Sequence, residues 1–348
     1  MDALSLVEAL ADPKAAEVFS AVLGEPLLAV NVPDGASAAA LSTLATSEDA
    51  KALPCVLVLL VPDPTVFQGA GHVPLLLGDV LLTDDPDAPR PFVAPEDGAE
   101  GGLAALQGVA GTNPIAATSL ALLLRSAEGL DVPAGLIAES ATYSALQANA
   151  EFFRWRETRP RRPPTDDHDE RVRVERDQHT ITITLTRPAR HNALDARMRD
   201  ALADAFALAA ADREVKVELR GDGKDFCAGG DLDEFGSRPD PGLAHLARLT
   251  RSPGRLLHGL SGRATAYLHG ACLGAGVELP SFAGRVVAGP ETSLGLPEVS
   301  LGLVPGAGGT VSLPRRIGRQ RTAYLGLSGR RVGAAQALRW GLIDAIEG

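Results

Sequence analysis

The stretch GLPEVSLGLVPGAGG, residues 295–309, holds a single carboxylate, Glu298, among apolar and small residues. Glycine and proline recur too often there for one plain helix or strand, so the stretch reads as a series of turns. Apolar surroundings favour the neutral form of a carboxyl and can bring its pKa toward neutrality. Such a group can exchange a proton with carbon, which needs a general acid or base poised near the working pH. Two further stretches, FCAGGDL (226–232) and LGAGVEL (273–279), are built largely of small residues. There backbone N–H groups can approach a ligand oxygen closely and stabilise charge that develops on it.

Strands and helices in alternation must position these groups. RVRVE (171–175) and HTITITLTR (179–187) alternate with period two and predict a β-hairpin with one buried face. HNALDARMRDALADAFALAAAD (191–212) predicts a helix, with Asn192 and Asp195 at its N-cap and Leu194, Met198, Leu202 and Phe206 on one face. VKVEL (215–219), RATAYLHG (263–270) and RVVAG (285–289) predict strands, with a small-residue helix over CLGAGVELPSFAG. The alternation indicates an α/β domain. Upstream, 1–23, 36–46, 114–126 and 138–157 read as helices and 54–61 as a buried strand. Residues 84–102 read as a loop, and the proline-rich, charged RPRRPPTDDHDE (159–170) as a linker.

LTRPARHNALDARM, DGKDFCAGGDLDEF, HGACLGAGVEL, LPEVSLGLVPGAGGT and ALRWGLID occur in this order. Together they resemble the crotonase superfamily, the enoyl-CoA hydratase/isomerase family, over roughly 171–348. The resemblance implies a spiral ββα core and a coenzyme A thioester substrate. It implies an oxyanion hole made by the amides of Gly230 and Ala275, and an acid–base pair of Glu278 and Glu298. Glu278 would activate a water for attack at C3, and Glu298 would protonate C2. The coenzyme would be held by Arg187 and Arg190 and by backbone near Ala228 and Asp231. No cofactor beyond the substrate's own CoA and no metal is implied, and trimers or hexamers are the implied assembly. GLVPGAGG lacks the GK[ST] ending of a phosphate loop, which excludes that reading.

The resemblance leaves a region 1–158 before the linker, and the chain of 348 residues stops shortly after GLID. Family members carry further helices there. Residues 135–157 loosely resemble such a tail, so the N-terminal region either is a worn, non-catalytic crotonase-like unit or supplies the missing helices. It is expected to be α/β or mainly helical. Residues 1–150 hold 4 basic and 19 acidic residues, the rest 29 and 25, so the halves carry −15 and +4. That balance argues against bulk nucleic-acid binding and lets the second half accept an anionic ligand. Cys55, Cys227 and Cys272 have no metal-like spacing and read as packed thiols in a reducing cytoplasm. The N-terminus has no basic n-region, and no run reaches 18 apolar residues, so neither a signal peptide nor a membrane span is expected. The expected activity is hydration of a 2-enoyl-CoA. The alternatives are another crotonase reaction, such as isomerisation, hydrolysis or cofactor-free oxygenation, or an inactive interaction protein.

Overall fold

The run VLVLL becomes the middle strand of a small parallel sheet, ordered β1 (Leu27–Asn31), β2 (Val56–Leu60), β3 (Val80–Leu82). An unbroken apolar run suits a strand covered on both faces. The computed structural model describes residues 1–45, 47–67, 77–160, 169–237 and 240–348. The chain divides into two units. The first comprises Met1–Gly129, Val299–Val304 and Ile317–Arg330, and the second Leu130–Glu298, Pro305–Arg316 and Arg331–Gly348. The boundary expected at 158 therefore differs from the observed one, because helices Val132–Leu146 and Ala150–Glu157 group with the second unit. Most of the expected linker, 161–168, lies outside the described residues.

In the first unit, helix Gly98–Thr112 starts inside the stretch read as loop and packs with Arg319–Ser328. Gly102 permits this: a Cβ there would stand 2.5 Å from Pro95 Cγ. The region is thus α/β, with its core built on Leu6, Leu41, Leu57 and Leu59.

The second unit holds a six-stranded sheet in the order β12–β9–β7–β6–β5–β4. Its strands are β4 (Val172–Arg176), β5 (Thr180–Leu185), β6 (Lys216–Gly221), β7 (Ala264–Leu268), β9 (Arg285–Ala288) and β12 (Ala345–Ile346). The hairpin β4–β5 is antiparallel as expected, and the other pairings are parallel. A second sheet joins β11 (Arg331–Gly333), β10 (Ser293–Gly295) and β8 (Ala271–Leu273). The expected helix over 272–284 is instead β8, the short helix Ala275–Glu278 and a 3-10 turn at Pro280–Phe282. Small residues there serve close approach: a Cβ on Gly276 would stand 2.0 Å from the Cys227 carbonyl oxygen.

Helix Ala196–Ala211 begins later than expected, capped by Asp195, whose carboxylate accepts from Met198 N at 2.7 Å. Asn192 is no part of that cap. It is fully buried with φ +52, accepts from Arg187 N at 2.8 Å, and donates to the carbonyls of Asp222 (2.8 Å) and Asp225 (3.0 Å). Asn tolerates this left-handed backbone better than most residues do, and its amide ties the 187–193 turn to the segment leading into FCAGG.

Candidate active site

The FCAGG segment is fastened on both sides. On one side Cys227 N donates to Ala271 O (3.3 Å) and Leu273 N to Cys227 O (3.0 Å). On the other, Leu194 N donates to Gly229 O (2.8 Å) and Asp231 N to Leu194 O (2.9 Å). The Gly229 carbonyl and the Gly230 N–H belong to one trans peptide and point opposite ways, so the Gly230 N–H is turned away from Leu194. Beyond residues 271–273 the chain runs on through Gly274 (φ +49) into the first residue of helix Ala275–Glu278, Ala275. A first-turn amide has no partner inside its own helix. Gly230 and Ala275 line one cavity of about 670 Å³, together with Glu278 and Glu298.

Gly274 brings the two carboxylates together. A Cβ at this position would lie 2.2 Å from Glu298 Oε1 and 3.7 Å from Glu278 Oε1. Only glycine leaves that space open, and the positive φ independently favours it. Glu278 is 1% and Glu298 6% exposed. Burial pushes the Glu298 carboxyl up to about 8, with nearby Glu139 adding to the rise. Its Oε2 is buried with no hydrogen-bond partner among the described residues. Burial, then Glu298 and Glu139, also raise Glu278 well above the ordinary range. Two donors oppose the rise, because Glu278 Oε2 accepts from Ala307 N and Gly309 N, both at 2.8 Å. Amide donors favour the charged form of a carboxylate. Hydrogen bonding thus favours the charge on Glu278 and the proton on Glu298, whereas the repulsion between the two carboxylates weighs on Glu278.

A third glutamate, absent from the sequence reading, completes the arrangement. Glu139, on helix Val132–Leu146, accepts from Gly308 N (2.7 Å), Thr310 N (2.9 Å) and Thr310 Oγ1 (2.7 Å). Glu278 thus binds amides 307 and 309 while Glu139 binds 308 and 310. The glycine loop is gripped from two sides by alternate amides. Burial, against these donors, raises Glu139 to about 7. Tyr143, one turn further along the same helix, packs against Gly306, where a Cβ would meet its ring at 2.6 Å. The helix expected as a substitute tail therefore lines the cavity through Leu136, Glu139, Ser140 and Tyr143.

The residues expected to meet the coenzyme are scattered. Arg187 is buried, donating to Asp231 Oδ2 (2.7 Å) and to the Ala193 carbonyl (3.0 Å), with Asp195 3.5 Å away. This internal pairing accounts for both Arg187 and Asp231 without a nucleotide, and it braces the turn before Gly230. Arg190 is partly exposed and 3.9 Å from Asp233. Ala228 is partly exposed, its amide donating to His191 O at 2.9 Å. Among these four only Asp231 borders the cavity.

A sequence model of the enoyl-CoA hydratase/isomerase family matches residues 175–347. The chain is similar to mevalonyl-coenzyme A hydratase of Beauveria bassiana, 34% identical over 48% of this chain and 63% of that protein. It is also similar to 2,3-dehydroadipyl-CoA hydratase of Escherichia coli, 36% identical over 50% of this chain and 68% of that protein. The chain thus spans about two thirds of the length of these curated relatives. A solved enoyl-CoA hydratase from Thermoplasma volcanium is 34% identical, covering 51% of this chain and 71% of that one at a TM-score of 0.48. The five ordered motifs, the family match and the coverage of the Escherichia coli relative agree: the chain belongs to the crotonase superfamily, in the enoyl-CoA hydratase/isomerase family.

Proposed function

We propose that the protein is an enoyl-CoA hydratase, adding water reversibly across the C2–C3 double bond of a 2-enoyl-CoA thioester. The observation that carries this reading is the convergence of two buried carboxylates, Glu278 and Glu298, on Gly274. The same cavity holds the Gly230 and Ala275 backbone. The thioester oxygen would accept from those two amides, which stabilise the enolate as charge moves onto it. Glu278, kept anionic by the amides of the glycine loop, takes a proton from water as its oxygen attacks C3. Glu298, kept protonated by burial, gives its proton to C2. One water is consumed, and the acid–base pair returns to its starting state when the proton gained by Glu278 replaces the one lost by Glu298. The names of the two curated hydratases support this reading. Arg190 and the backbone near Ala228 are assigned to the coenzyme's nucleotide.

A second reading, double-bond isomerisation, has its own observation. It needs only one proton shuttle, and Glu298 Oε2 is the unpartnered carboxylate oxygen. Incubation with a panel of 2-enoyl-CoA and 3-enoyl-CoA thioesters in H₂¹⁸O separates the two. Hydration places ¹⁸O at C3 of the product, and Glu278→Gln and Glu298→Gln each abolish it. Conversion of a 3-enoyl-CoA without label, surviving Glu278→Gln and lost in Glu298→Gln, would replace hydration by isomerisation.

A further inference from the structure

The cavity that holds the acid–base pair also contains a cation that the hydration chemistry does not use. Three arginines line it: Arg199, Arg248 and Arg251. Two have carboxylate partners, Arg199 with Asp200 at 2.7 Å and Arg251 with Asp204 at 2.9 Å. Arg248, on helix Pro241–Thr250, makes no ion pair within 4 Å among the described residues, though its charge also acts on Glu139 and lowers that carboxyl. Its Nε donates to Ser140 Oγ (3.0 Å), and its Nη2 to Ser140 O (3.2 Å) and Ser144 Oγ. These acceptors are neutral. Nη1 donates to no described residue and is not among the buried polar atoms left without a partner, so it keeps some exposure in a side chain that lines the cavity. A guanidinium suits bidentate recognition of a carboxylate, and with no carboxylate hydrogen-bonded to Arg248 that capacity is unused.

Position selects the anion. The Arg248 guanidinium carbon lies 4.7 Å from the centre of the Tyr143 ring. The same ring packs on Gly306, beside the loop whose amides hold Glu278. One aromatic ring therefore lies between the guanidinium and the loop whose amides hold Glu278. The phosphates of coenzyme A are held away from the thioester by the whole pantetheine arm. An anion at the far end of a short acyl chain is the one that reaches Arg248.

We infer that this pocket selects an acyl-CoA whose acyl chain ends in a carboxylate, which Arg248 binds through Nη1. The inference rests on the CoA-thioester reading above and names the substrate class of that same site. The serines fix the other edge of the guanidinium, so the fork is held in place before the ligand arrives. Tyr143, stacked on the cation, makes the opposite wall of the subsite.

Binding tests this separately from catalysis. Saturated thioesters cannot be hydrated, so succinyl-, glutaryl- and adipyl-CoA are titrated into the full chain by calorimetry. Butyryl-, pentanoyl- and hexanoyl-CoA are the neutral partners of equal carbon number. The expected result is at least tenfold tighter binding of one or more dicarboxylyl esters over its neutral partner. In Arg248→Met that preference falls to about one while the neutral ester binds as before, and Arg248→Lys keeps part of it. Equal binding of each pair by the unmodified protein overturns the inference without any variant, so a misfolded variant cannot rescue it. Equal weakening of both esters in Arg248→Met also overturns it, placing a coenzyme phosphate at Arg248. A preference for dicarboxylyl esters with no hydration of their unsaturated forms leaves the inference standing and removes the hydratase reading. Failure to bind any CoA ester removes both.

Discussion

Two buried carboxylate clusters, one in each unit, keep opposite company. In the first, Asp79 is 1% exposed and accepts from Arg125 Nε (2.8 Å) and Leu57 N (2.8 Å), with Arg319 Nη1 3.7 Å away. Arg125 places its remaining donors on the carbonyls of Leu53 (2.8 Å) and Cys55 (2.7 Å). Each charge there meets an opposite charge, and the cluster ties strand β2 to helix Pro114–Ser126. In the second unit Glu139, Glu278 and Glu298 are equally buried, yet none is ion-paired among the described residues. Their compensation is backbone amides, one hydroxyl and, at Glu139, the charge of Arg248, and Glu298 Oε2 has no hydrogen-bond partner among the described residues. Burial with a counter-ion holds a fold together. Burial without one lifts a carboxyl toward neutral pH, where it can trade protons.

The comparison breaks if the two kinds of carboxylate respond alike to losing their charge. Glu298→Gln should lower kcat for hydration by roughly 10²- to 10⁴-fold, with the urea midpoint at pH 8 unchanged or higher. Asp79→Asn should do the reverse, destabilising the fold by about 3–5 kcal/mol because buried arginines lose their charge partner. Urea unfolding measured beside steady-state kinetics reads both. A Glu298→Gln protein as unstable as Asp79→Asn would mean that Glu298 serves the fold rather than the chemistry.

Glu139 sharpens the comparison, since it is buried like Glu278 and Glu298 but both its carboxylate oxygens bind the glycine loop. Glu139→Ala strands three donors, the Gly308 and Thr310 amides and the Thr310 hydroxyl. A cost of about 1–3 kcal/mol for each unsatisfied group is expected. Glu139→Gln keeps one acceptor oxygen and the side-chain shape. It should fold, yet lower kcat about tenfold with KM within twofold, because the loop that orients Glu278 is gripped from one side less firmly. A change confined to KM would place Glu139 in substrate binding instead.

Glu278, Glu298, Gly230 and Ala275 could be singled out in the sequence because each lies in a short motif whose small neighbours announce close approach. Glu139 was not. Its partners lie 169 and 171 residues away in sequence, and AGLIAESATYSAL reads as an ordinary small-residue helix. The available signal was its spacing: Glu139 lies three residues after Leu136 and four before Tyr143, an acid on an apolar helix face. Helix Gly98–Thr112 was hidden for a different reason. Its first turn, with Gly98, Gly101 and Gly102, fell in a stretch read as loop on its proline, aspartate and glycine content, whereas packing against Pro95 requires a small residue at Gly102. Arg187 was misassigned because sequence shows a cation but not the anion beside it. Asp195 and Asp231 reach it only once the turn around Asn192 has folded.

The last expected effect concerns stability against pH, through the raised carboxyl of Glu298. Glu298 is raised in the folded state from an ordinary 4.5 to about 8. Between those values the folded chain holds a proton that the unfolded chain has released. Stability therefore falls as pH rises through this window, by about 1.4 kcal/mol per pH unit for one such group, and levels off above it. Glu139, raised to about 7, adds a contribution of the same sign that ends sooner. Glu298→Gln carries no titrating group, so its stability should decline less steeply from pH 5 to 8. Urea unfolding at half-unit pH intervals reads the difference in slope. Parallel curves for the variant and the unmodified protein would mean that Glu298 is already ionised at neutral pH. It could not then be the proton donor to C2, and the roles of Glu298 and Glu278 would have to be exchanged.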